Sequence, residues 1–306
     1  ARAARLGGRP ATPPAETHEQ YNSVLAYYGA WLREQAVERG LGFVDMYSPL
    51  NNLTIEARRH DPKFTLIRDA IHPDAPGQLV MAAAMLMDLG LPRGVSKITI
   101  SRGTGDEAVT RATGGQVTDA RFTSDGLEFT FAAKSLPLAL PEEAQVGAKL
   151  LRLGHRLSQE SLDVHGLAPG TYELLIEGQP VGRYQADALS RHVELQDNPA
   201  TPQYQQALAV TTLNKQRNDE AVRPLRDLWR DVKILRRTRE QLAAQPDNAG
   251  LKAQVAKLEQ NLGDLEARIA EYEAKSQAIL DKIYAANTPR PLKYRLVRVA
   301  DAAPAK

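Results

Sequence analysis

The chain has 306 residues, 42% hydrophobic and 25% charged, an ordinary globular composition with room for about two or three domains. Lys and Arg number 39 against 37 Asp and Glu, a net charge of +2, so the balance favours neither nucleic acid nor an anionic membrane as a partner. There are no cysteines, which excludes disulfides and thiolate chemistry, and the longest apolar run, Leu79 to Met87, falls far short of the ~18 residues of a membrane helix.

The first region runs to about Pro92. Its start, Ala1-Arg2-Ala3-Ala4-Arg5, has no signal-type apolar stretch and no Met, so a processed or partial chain is expected. Thr17 and Gln20 form a capping-box pattern. Tyr21, Val24, Leu25, Tyr28, Leu32 and Ala36 then keep helical spacing until Gly40. Phe43-Val44-Asp45-Met46-Tyr47 is a short apolar run that predicts a strand buried in a parallel sheet. Asp74 can cap a helix with Pro76 in its first turn. That helix, Gln78 to Leu89, is apolar nearly all round and should be buried, with Gly90 and Pro92 as its stop. Helix, strand and helix in this order predict the end of an α/β domain over 1–92.

Residues 93–190 change to short strands. Lys97–Ser101, Val117–Thr123, Leu127–Phe131, Leu157–Val164, Tyr172–Ile176 and Val181–Gln185 are the candidates, with tight turns at Ser124-Asp125-Gly126 and Glu177-Gly178. Many short strands between Gly and Pro turns predict a small β-sandwich. Residues 198–288 read as helical. Val222, Leu225, Trp229, Val232, Leu235 and Leu242 form one apolar stripe, with Trp229 expected in the core. From Leu251 a heptad seam runs through Val255, Leu258, Leu262, Leu265, Ile269, Tyr272, Ser276, Ile279 and Ile283. A turn at 245–250 makes the pair an antiparallel coiled-coil hairpin, with self-association as an alternative use of the seam. In 289–306, Leu292 to Val297 predicts one last strand returning to the sandwich, before a disordered tail after Asp301.

One stretch carries chemistry: Asp69-Ala70-Ile71-His72-Pro73, with Gly77 following. A serine hydroxyl is a poor nucleophile at neutral pH. It needs a neutral imidazole to take its proton and a carboxylate to fix the imidazole tautomer. An Asp and a His three residues apart in a turn can bring carboxylate and ring together. On the bare pattern alone, a surface turn with an incidental hydrogen bond is the favoured reading.

The surrounding residues resemble the last conserved block of the SGNH/GDSL hydrolase superfamily, Asp-x-x-His-Pro followed by Gly and an apolar helix. Upstream, Tyr21-Asn22, Trp31-Leu32-Arg33 and Gly42 through Leu50 are similar to the segment that precedes that block, so the resemblance covers about residues 15–92. It implies that Asp69 is the triad acid and His72 the triad base, within the C-terminal portion of a flavodoxin-like α/β domain. It implies a parent that hydrolyses carboxylic esters through an acyl-serine, needs no cofactor and is exported. The Gly-Asp-Ser nucleophile motif of the superfamily is missing from the 306 residues. No counterpart of its Gly and Asn oxyanion donors is assigned either, and Asn51-Asn52 lies in a different setting. The expectation is a chain that begins about two-thirds of the way through the hydrolase domain and is inactive alone. Small-molecule or glycan esters are the expected substrates, because β-sandwiches often accompany carbohydrate-active enzymes.

Other signals are weaker. His18, His60, His155, His165 and His192 show no ligand spacing, so no metal site is expected. Gly103-Thr104-Gly105 and Gly114-Gly115 read as turns. Asn52-Leu53-Thr54 is a formal glycosylation sequon. Lys233, Arg236, Arg237 and Arg239 read as a solvated basic face and not a nucleic-acid site. Tyr172 and Tyr184 suit packing better than a sugar platform. The alternative to an esterase is a non-enzymatic interaction or carbohydrate-binding protein that uses the sandwich and the hairpin.

Overall fold

A computed structural model describes residues 15–69 and 71–300, with side chains from Tyr21 onward. Residues 1–14, Ala70 and residues 301–306 lie outside the described residues, as do the side chains of Thr17, His18 and Gln20. The chain divides into two compact units, residues 1–205 with 289–306, and residues 206–288.

The first unit opens with α1 (Ala15–Glu38). Gly40 ends it in the left-handed conformation (φ 65°), where a glycine bears no Cβ penalty. Leu41 N–H then reaches Ala36 O at 2.8 Å. Of the helical stripe only Ala36 is buried, while Val24, Leu25, Tyr28 and Leu32 are exposed. The strand expected at 43–47 does not form. Residues 41–46 are irregular, and Tyr47 already begins α2 (Tyr47–Arg58). A strand needs a neighbour for its N–H and C=O groups, and no described strand pairs with these residues. Asp45 instead accepts the N–H groups of Tyr47 (3.1 Å) and Ser48 (2.9 Å), and so satisfies donors at the head of α2.

Next comes α3 (Ala75–Asp88). One face is buried through Gly77, Val80, Ala83 and Ala84. Met85 on the other side is 48% exposed, so the helix is not enclosed all round. Leu50, Leu66 and Val80 form a small core with Leu151, Leu153 and Leu157. Those last three come from α4 (Gln145–Leu151) and α5 (Leu153–Leu157), short helices inside the stretch read from sequence as strands.

The strands are β1 (Gly94–Arg102), β2 (Ala108–Thr113), β3 (Gly115–Phe122), β4 (Gly126–Ala133), β5 (Gln159–His165), β6 (Thr171–Ile176), β7 (Gln179–Gln185), β8 (Val193–Glu194) and β9 (Leu292–Val299). They make two sheets, ordered β2-β1-β5-β8 and β3-β4-β9-β6-β7. β1 and β5 run parallel, and the other pairs are antiparallel. The last strand therefore enters the middle of the five-stranded sheet, between β4 and β6. Alternation explains the core: Leu127, Phe129 and Phe131 of β4 and Leu292, Tyr294 and Leu296 of β9 share a buried cluster with Ile98, Ile100, Leu162 and Val164. The Phe129 and Tyr294 rings stack with centroids 4.8 Å apart. Glu177 (φ 51°) and Gly178 (φ 76°) supply the two positive φ values of the turn between β6 and β7. Tyr172 is packed in this core, and Tyr184 lies against it half-buried. The short helix α6 (Ala186–Arg191) follows β7 and adds Leu189 to the same core.

The second unit is helical. α7 (Pro202–Arg217), which starts in the first unit, continues through a π-helical turn at Asn218–Val222 into α8 (Arg223–Ala244). The chain then turns back into α9 (Ala249–Leu262) and α10 (Leu265–Ala286). Cross-pairs record opposite directions: Arg239–Glu259 at 2.6 Å, Lys275–Glu220 at 3.0 Å and Arg217 to Ser276 at 2.9 Å. The seam positions from Leu251 to Ile283 are each buried or half-buried. The seam is not one continuous helix, because Gly263 (φ 54°) breaks it and Asp264 caps α10 through Ala267 N–H at 3.0 Å. Leu228, not Trp229, enters the core with Leu235, Val255 and Leu262. Trp229 is 48% exposed, which corrects its expected place.

Candidate active site

Asp69 and His72 lie between Leu66, at the end of a coil, and the head of α3. The turn is built from below. Asp74 caps α3 by accepting the Gly77 N–H at 3.2 Å, and its own N–H donates to Leu66 O at 3.1 Å. Gly77 is required by space: a Cβ there would sit 2.6 Å from Leu66 O. The Gln78 side-chain amide donates to Pro73 O at 3.1 Å, which ties the exit of the turn to the helix.

Within that frame one carboxylate does two things. Asp69 Oδ1 accepts the backbone N–H groups of Ile71 (3.0 Å) and His72 (2.7 Å), which folds the turn. Asp69 Oδ2 meets His72 Nδ1 at 2.7 Å, which orients the ring. The His72 hydrogen bond, followed by those two backbone donors, holds the Asp69 carboxyl well below the usual carboxylate range. Asp69 is therefore an anion at any pH where an imidazole can act as base. With Nδ1–H directed at Asp69, proton acceptance falls to Nε2. Both side chains are about half exposed, His72 at 56% and Asp69 at 51%. The structure thus brings together both site residues read from the sequence.

Beside the turn, Ile71 and Pro73 border a cavity of about 600 Å³ lined by Leu25, Tyr28, Phe43 and Met46 among others. The wall supplied by α1 is the exposed apolar stripe. Asp45 also borders it, with its N–H donating to Asp88 Oδ2 at 2.9 Å. Burial pushes the Asp45 carboxyl up, but the Ser48 and Tyr47 hydrogen bonds and the Arg33 charge outweigh it and leave the group lowered.

A second carboxylate–imidazole pair was not legible in the sequence. His155 Nδ1 lies 2.7 Å from Glu194 Oε1, and His192 Nε2 lies 3.7 Å from the same oxygen. Burial raises the Glu194 carboxyl, yet the Gln159, Gln196 and His155 hydrogen bonds bring it down to about 2. Its partners are 39 residues apart in sequence, so no local motif announces them. Among the described residues no cluster of three or more His, Asp or Glu could hold a metal ion, and no helix is long and apolar enough to cross a membrane.

No family model and no curated protein sequence matches the chain. Among solved structures the chain is similar to BT4096, a gut microbial diltiazem-metabolizing enzyme, with a TM-score of 0.74 and 25% identity. The match covers 90% of this chain and 66% of that one, so this chain spans about two thirds of the neighbour's length. The class so defined is a mixed α/β protein with two sheets and a fold similar to that of a diltiazem-metabolizing enzyme.

Proposed function

We propose that this chain is the C-terminal part of a serine ester hydrolase of the SGNH/GDSL type, and that Asp69 and His72 are the acid–base half of its triad. The observation that carries this reading is the doubly engaged Asp69 carboxylate, which holds His72 Nδ1 at 2.7 Å while folding the turn beneath it. In this reading a serine from another part of the protein loses its proton to His72 Nε2 as its oxygen attacks the ester carbonyl. The C–O bond to the alcohol then breaks, and the imidazolium returns the proton to the departing oxygen. Water repeats the sequence and releases the acid from the acyl-serine. Asp69 stays ionised throughout and stabilises the imidazolium.

The exposed apolar face of α1 supports the same reading. Trp31 (48%), Tyr28 (56%) and Leu32 (52%) form more apolar surface than a closed domain leaves to water, as expected where a further layer belongs. The neighbour's greater length agrees with that. We read the two sheets as an accessory β-sandwich and residues 202–286 as an antiparallel helical hairpin, neither of which contributes to the chemistry. The proposed substrate class is small carboxylic esters, including acyl groups on carbohydrate, and the proposed setting is outside the cytoplasm. Without its serine the chain alone does not turn over esters.

The test is hydrolysis of p-nitrophenyl acetate, with diltiazem as a second probe. The 306-residue chain should show no rate above a His72→Ala control. A longer protein that includes a Gly-Asp-Ser block should show one that His72→Ala removes. A rate in the 306-residue chain that survives His72→Ala would refute both the site and the need for a separate serine.

A further inference from the structure

A polar bridge crosses the end of the two-sheet core, away from the proposed catalytic turn. Glu160 on β5 shares the strand face of Leu162 and Val164, points inward and is 4% exposed. Tyr294 on β9 belongs to the other sheet and is also 4% exposed. Gln203 stands in the first turn of α7, again 4% exposed, and its Nε2 donates to the Tyr294 hydroxyl at 3.3 Å. The Gln203 side chain is also within hydrogen-bonding reach of the Glu160 carboxyl. Three segments far apart in the sequence thus meet through three buried polar side chains.

The bridge has a specific deficit. Glu160 Oε2 and Gln203 Oε1 are both buried, and neither has a hydrogen-bond partner among the described residues. A buried acceptor left unpaired is costly, and a buried carboxylate without a cation more so. Protonation removes the buried charge of Glu160 and turns its Oε2 from an unpaired acceptor into a donor. Among the described residues, the other groups around Glu160 include no competing cation. Tyr294 faces it from β9, Gln203 from α7, and Ser96 lies beside it on β1. Residues 194–197 hold its backbone through Gln196 Oε1 (3.0 Å) and Leu195 N–H (2.9 Å), and the charged groups of that segment, Glu194 and Asp197, are acids.

We propose that Glu160 is held as the neutral carboxylic acid, and that this uncharged form lets the buried bridge join both sheets to the start of α7 in a pH-dependent way. Burial pushes the Glu160 carboxyl up to about 7, against a smaller downward pull from Gln203. The folded state therefore binds the proton more tightly than the unfolded chain, whose glutamates titrate near 4.5. This contribution to stability is fully present below that value and is lost as pH rises through about 7.

The experiment uses the full chain with 13C-labelled glutamate carboxyls, titrated by NMR, together with urea unfolding of the wild type and Glu160→Gln at pH 5 and pH 8.5. One carboxyl signal should titrate near neutrality and be missing from the variant. The wild-type unfolding constant should rise about a hundredfold more than the variant's between the two pH values. All glutamates titrating in the ordinary range would overturn the proposal, because Glu160 would then be buried as an anion. A shared pH profile for variant and wild type would overturn it too. Should Glu160→Gln fail to fold, the wild-type titration decides alone.

Discussion

In the two-sheet core Leu127, Leu174 and Leu296 are at most 1% exposed, whereas Leu25, Tyr28, Trp31 and Leu32 on α1 are between 40% and 56% exposed. The side chains are similar in kind, so the difference lies in what surrounds them. The sheets cover each other, and β9 returns from the far end of the chain to fill the centre of the larger one. The stripe on α1 has no comparable cover among the described residues. The contrast separates a module that closes on itself from a helix whose apolar face is open to water.

Four changes would break or sharpen that contrast. The largest effect belongs to His72. In a form of the protein that carries its serine, His72→Ala should lower kcat/KM by a thousandfold or more, measured on p-nitrophenyl acetate. Circular dichroism should show the fold unchanged, since His72 is 56% exposed. Next comes Leu127→Ala in the closed core, which should cost about 2–5 kcal/mol in urea unfolding. Asp74→Ala should cost about 1 kcal/mol, the value of a helix cap, and should loosen the Asp69–His72 turn as seen by hydrogen exchange at Ile71 and His72. Leu32→Ala, on the exposed stripe, should stay within about 0.5 kcal/mol in this chain. A cost at Leu32 equal to that at Leu127 would show that the α1 face is covered after all.

Acid gives a further discrimination within the sheet module. Glu194 is held at about 2, below its unfolded value of 4.5, so its stabilising contribution is present above that value and lost as pH falls from 4.5 toward 2. Glu194→Gln should flatten this acid limb in thermal melts. An unchanged limb would mean that the His155 and Gln contacts do not depend on the charge.

The parts of the molecule that were legible in the sequence are those written in local spacing. Asp69 and His72 are three residues apart, and their capping residue Asp74 and Gly77 follow at once. The seam from Leu251 to Ile283 and the alternating strands are periodic, so pattern alone places their inward faces. The failures are equally physical. The run at 43–47 looked like a strand because it is apolar, yet Asp45 followed by Ser48 and Pro49 was a helix-start signal that outweighed it. The seam kept its heptad phase across Gly263-Asp264, which hid the break between α9 and α10. Trp229 fits the stripe of Val232, Leu235 and Leu242 by spacing, but Leu228, the residue before it, takes the core position beside them. The Glu160–Gln203–Tyr294 bridge and the His155–Glu194 pair join residues 39 or more apart, and no window of the sequence contains them.

The central claim is that Asp69 and His72 activate a serine supplied from outside the described residues. The most direct measurement is active-site labelling with a fluorophosphonate, which reacts with serines whose proton is being removed. In a form of the protein with a Gly-Asp-Ser block, wild type should label at that serine, Asp69→Asn should label more slowly, and His72→Ala should not label at all. Equal labelling of wild type and His72→Ala would contradict the account.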